Sequence, residues 1–88
     1  MIITNKQLKS GLVVETTKRM VHKRFSVWSM NEDNTLWCRL REGFGPISGW
    51  KSTDDLLLFL QRHNFYVVGY YELIEDRRTN QFVLRGAL

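Results

Sequence analysis

Arg24-Phe25-Ser26-Val27-Trp28-Ser29-Met30 and Thr35-Leu36-Trp37-Cys38-Arg39-Leu40-Arg41 flank the turn-prone Asn31-Glu32-Asp33-Asn34. Two alternating runs around a short polar turn read as a β-hairpin. Closed across a four-residue loop, the hairpin sets Met30 opposite Thr35, Trp28 opposite Trp37, Ser26 opposite Arg39 and Arg24 opposite Arg41. Successive strand side chains point to opposite faces, so these pairs share one side. The other side collects Phe25, Val27, Ser29, Leu36, Cys38 and Leu40 and reads as core. The predicted hairpin has a dry face and a face carrying two Trp and three Arg. Register decides this assignment, because a one-residue slip turns a whole strand over.

Working outward, Thr4 or Asn5 caps a short turn ended by Gly11, and Leu12–Thr17 is a β-branched strand. A basic bend at Lys18-Arg19 leads into Met20–Met30. Glu42–Gly49 holds Gly43, Gly45, Pro46 and Gly49 and reads as a loop. Ser52 is a good N-cap, and Asp54 and Asp55 suit the positive end of a helix running from Thr53 to about His63. Leu56, Phe59, Leu60 and His63 make its apolar stripe, widened by Leu57 and Leu58. Asn64 suits the left-handed stop. Phe65–Ile74 and Gln81–Arg85 are strands around a charged turn at Glu75–Asn80. The order β-β-β-α-β-β predicts an α+β domain spanning residues 1–88. An antiparallel sheet of about five strands carries one helix on its dry face.

At 88 residues with 43% apolar and 25% charged side chains, the composition is that of one globular domain. A single cysteine forms no internal disulfide, which points to a reducing, cytoplasmic setting. The apolar runs are too short for a signal peptide or a membrane span, so no membrane partner is expected. The net charge is +4 and unevenly spread. Residues 1–51 hold nine Lys/Arg against four Asp/Glu, whereas residues 52–88 hold four against five. Segregated positive charge attracts polyanions or acidic proteins.

Catalytic and metal chemistry find little support. His22, His63 and Cys38 are scattered in sequence, which is poor spacing for a metal site, and a thiol set among apolar neighbours is inert. The glycine-rich segment lacks the Gly-Lys-Ser/Thr ending of a phosphate loop, and its third glycine falls one place late for a dinucleotide fingerprint. No cofactor is expected. Trp50, just ahead of the helix cap, reads as a hydrophobic staple.

The constellation with a specific use is the basic, aromatic face. Trp28 and Trp37 offer stacking surfaces, and Arg39 and Arg41 offer phosphate contacts. Lys18, Arg19, Lys23 and Arg24 extend the positive strip. The expected function is a small non-enzymatic nucleic-acid-binding domain. The alternative is a protein-interaction module using the same surface: an adaptor, an inhibitor, or a homodimer paired through the edge strand Gln81–Arg85.

Overall fold

The computed structural model describes residues 2–20, 22–41, 45–75 and 80–86. The Glu42–Phe44 part of the expected loop and the Asp76–Thr79 part of the charged turn fall outside them. A 3-10 turn, Asn5–Gln7, precedes strands β1 (Leu12–Glu15), β2 (Arg24–Ser29), β3 (Trp37–Arg41) and β4 (Gly45–Trp50). Helix α1 (Thr53–Arg62) and strands β5 (Tyr66–Glu75) and β6 (Asn80–Gly86) follow. The strands form one antiparallel sheet in the order β4-β3-β2-β1-β5-β6. The α+β class with one helix is as expected, with six strands instead of five.

The extra strand is β4, read from sequence as a loop because it contains Gly45, Pro46 and Gly49. It occupies an edge of the sheet, where proline's missing N–H interrupts no inner ladder. Gly45 takes a positive φ of 78° at its start. A register irregularity against β3, between Cys38 and Leu40, absorbs the proline. The last hairpin extends the sheet at the other edge and does not fold back over it.

Helix α1 starts as its cap chemistry dictates. The Ser52 hydroxyl accepts the Asp55 amide at 3.2 Å, and Asp54 and Asp55 stand in the first turn. His63 is the C-cap and Asn64 follows with φ 53°. Leu56 and Leu60 are fully buried, while Leu58 is 52% exposed and so lies outside the contact stripe. They join Ile3, Leu12, Val14, Phe25, Val27, Trp37 and Phe65 in one core between helix and sheet.

Trp37 enters this core because the hairpin register differs by one residue from the expected one. Ser29 faces Trp37, Trp28 faces Cys38, Val27 faces Arg39 and Ser26 faces Leu40. The Met30 amide donates to the Leu36 carbonyl at 2.6 Å, so the loop is Asn31–Thr35, five residues and not four. The added residue is Thr35; it follows Asn34, which takes the left-handed region at φ 59° after a turn closed by Asn34 N–H to Asn31 O. Asp33 Oδ1 fixes the turn by accepting from both the amide and the hydroxyl of Thr35. Trp37 is 2% exposed, and its indole N–H donates to Asn34 O and Thr53 Oγ1. The fold thus buries the largest side chain of β3 and leaves Leu36 42% exposed.

Gly69 marks a second tight place. A methyl group there would sit 2.0 Å from the Arg85 carbonyl oxygen and 3.3 Å from Leu84 Cδ1. The obstacle is mostly backbone, which cannot swing aside. Gly69→Ala should lower stability by about 1–3 kcal/mol in urea titration through overpacking. An unchanged midpoint would contradict the β5–β6 pairing.

Candidate nucleic-acid interface

Antiparallel pairing fixes which residues meet at each end of the sheet. The end of β1, the start of β2, the end of β3 and the start of β5 coincide. The helix C-terminus is tied to this same end. Thr16 Oγ1 donates to His63 O at 2.7 Å, and Lys18 Nζ donates to Arg62 O at 3.5 Å. Lys18, Arg19, Lys23, Arg24, Arg41 and Arg62 therefore gather here, all exposed. His22 and His63 lie among them, half-buried. The carboxylate at this end, among the described residues, is Glu15, which accepts from Tyr66 Oη at 2.7 Å. That hydrogen bond is the main cause holding the Tyr66 phenol above its ordinary pKa.

The opposite end is acidic. Glu32 and Asp33 occupy the β2–β3 loop, and Thr53 Oγ1 bonds Asn34 O, bringing Asp54 and Asp55 alongside. Lys51 adjoins them. Lys9, next to Ser10 at the end of β2, is a further cation here, so the carboxylates gather at this end without excluding positive charge. In sequence, charge looked segregated between the two halves of the chain.

The site residues expected from sequence divide among these places. Lys18, Arg19, Lys23, Arg24 and Arg41 come together at the basic end. Arg39 lies near it, on the helix-facing side of β3. Trp28 is half-buried on the open face of the sheet, and Trp37 is sealed in the core near the acidic end. The single face with two Trp and three Arg does not form, because the register shift turned β3 over. Arg62 and His63, the latter expected in the apolar stripe of the helix, are brought to the basic end by tertiary packing of the helix.

An aromatic and arginine cluster does exist, on the other side of the sheet. The Arg39 guanidinium carbon lies 5.6 Å from the Phe25 ring centroid, 5.3 Å from Trp50 and 5.8 Å from Phe59. These are cation–π distances. Trp50 also packs on Phe25 and Phe59, at 6.0 and 5.4 Å between centroids; it lies against the core, but Phe59 is in the second half of α1 and not at the first-turn position a hydrophobic staple uses. Arg39 Nη2 donates to Ser48 Oγ, whereas Nε is buried without a partner. Burial pulls the Arg39 pKa below its ordinary value.

The open face is apolar and aromatic, not basic. Gly11 N–H donates to Val27 O and Gly11 O accepts from Tyr71 N–H, both at 2.8 Å. Gly11 thus sits between Trp28 and Tyr71. Gly11 takes a φ of 95°, and a side chain there would meet the Tyr71 carbonyl oxygen at 2.7 Å; the Trp28 and Tyr71 rings stack 6.4 Å apart and 16° from parallel. Trp28 Nε1 donates to Ser26 Oγ at 2.9 Å, which in turn donates to Leu40 O. Cys38 was expected in the helix-side core but is half-buried on this face, and desolvation raises its thiol pKa.

Among the described residues, no group of three His, Cys, Asp or Glu is placed to hold a metal ion, and no helix is long and apolar enough to cross a membrane. A scan against protein-family models finds no match to this chain, and neither a search of curated proteins nor one of solved structures finds one.

Proposed function

We propose that this chain is a small non-enzymatic domain that binds nucleic acid through the basic end of its sheet. The observation that carries the reading is the convergence of six exposed Lys and Arg side chains from a loop, two strands and a helix end. Such a cluster, opposed by an acidic far end, attracts and orients a polyanion. With both expected Trp platforms withdrawn from it, the end offers phosphate contacts more than base stacking. Binding is then weakly sequence-selective and strongly salt-dependent. A cytoplasmic setting suits this reading and the single unpaired cysteine.

The reading is tested by titrating a labelled single-stranded oligonucleotide over a range of salt concentrations. Four to six neutralised phosphates give a slope of log K against log salt of roughly −3 to −4 on a single strand. A flat response, or no binding at low salt, would remove the proposal.

The open sheet face favours a second reading, a protein interface. Met30, Leu36 and Leu84 are 63%, 42% and 37% exposed there, beside Trp28 and Tyr71. Trp, Tyr and Met are side chains that interfaces favour. A homodimer through this face predicts a mass that rises with concentration in sedimentation and reverts in a Leu36→Glu variant. A constant monomer mass would exclude the homodimer.

A further inference from the structure

We propose that Arg39 is a seat for one phosphate group, held ready beside the basic end. Where that phosphate belongs to a nucleic acid, the inference rests on the reading above. The argument starts from the donors. A guanidinium carries five N–H groups and no acceptor. In Arg39 one donor meets Ser48, Nε is buried with no partner, and no carboxylate pairs with the charge among the described residues. Buried donors and half-desolvated charges normally find partners, because leaving them unpaired is costly.

Packing alone accounts for only part of this. Contact with Phe25, Trp50 and Phe59 explains why the guanidinium lies where it does. A stem packed on aromatics with its head in water is ordinary for arginine. Such packing covers Nε, the nitrogen next to the stem, but supplies no hydrogen-bond acceptor for the guanidinium. The rings fix the plane of the fork, and a fixed planar fork suits the two oxygens of a phosphate. Arg41 follows two residues along the same strand, on the same side and about 6.6 Å farther toward the basic end. An anion at Arg39 is therefore continuous with the positive field.

The test uses the full chain and follows the Arg39 Nε–Hε resonance by NMR. The probes are inorganic phosphate, acetate at equal ionic strength, and a single-stranded oligonucleotide. Arg39→Lys keeps charge without the fork, and Arg39→Met keeps much of the stem without charge. The proposal expects a saturable shift with phosphate, a smaller one with acetate, and about tenfold weaker oligonucleotide binding in Arg39→Lys. A phosphate shift without oligonucleotide binding would uphold the seat and remove the nucleic-acid reading. Oligonucleotide shifts at Arg41 and Lys23 with Arg39 unmoved by either phosphate source would overturn the seat and leave that reading standing. An equal response to acetate and phosphate would also overturn it.

Discussion

Trp37→Ala should lower the unfolding free energy by about 3–5 kcal/mol, the range for removing a buried aromatic side chain. Small domains have about 5–15 kcal/mol in total, so the variant stands near the edge of folding. Two losses combine. The ring leaves a cavity beside Leu56 and Leu60, and Asn34 O and Thr53 Oγ1 lose the indole donor that ties hairpin loop to helix start. Trp37→Phe separates them, keeping most of the volume and losing the N–H. It should cost less than the alanine variant, by roughly 1–2 kcal/mol. Thermal or urea unfolding reads both, at about 4–8 °C per kcal/mol for a domain of this size. A Trp37→Ala change within about 0.5 kcal/mol would mean that Trp37 is on the surface and that the other hairpin register is correct.

Neutralising Lys18, Arg19 and Lys23 together should cost little stability and much affinity. All three are exposed, and the hydrogen bond from Lys18 Nζ to Arg62 O is long at 3.5 Å. Each phosphate contact releases counterions, so removing three flattens the salt slope by about 2 units on single strands. Affinity at low salt should fall by about 100-fold or more, with unfolding midpoints nearly unchanged. Replacing Glu32, Asp33 and Asp55 by their amides serves as the matched control. It alters net charge by the same amount, in the opposite sense, at the far end. A triple alanine variant that binds with the wild-type slope would place the ligand elsewhere.

The parts of the fold legible in the sequence were those governed by local rules. Ser52 and the two aspartates marked the start of the helix, and the Leu56/Leu60 stripe marked its buried side. The alternation of Leu12/Val14 and Phe25/Val27 gave the correct inner faces of β1 and β2. What local rules did not give was register. Turn residues named the loop, but Thr35, following Asn34 in the left-handed region, lengthened it by one residue and inverted β3. The alternation Leu36/Cys38/Leu40 looked more like core than Trp37/Arg39/Arg41 did. Burial of one Trp, with Arg39 laid against three rings, outweighed it. β4 was missed because glycine and proline signal a break, and only its place at the sheet edge makes a strand with Pro46 admissible.

The candidate site was legible as charge and not as surface. Lys18 to Arg24 form a basic run in any fold. Arg62 joins them only because Thr16 and Lys18 bind the end of the helix. The partnership of Arg39 with Trp50 and Phe59 joins β3, the end of β4 and the middle of α1, a tertiary relation that no spacing in the chain announces.

The most direct test of the central claim is mapping amide and side-chain chemical shifts while a single-stranded oligonucleotide is added to the intact chain at low salt. The account predicts that the largest changes fall on Lys18, Arg19, Lys23, Arg24, Arg41 and Arg62 and fade with added salt. Changes confined to Trp28, Leu36, Cys38 and Leu40, or none at any residue, would contradict it.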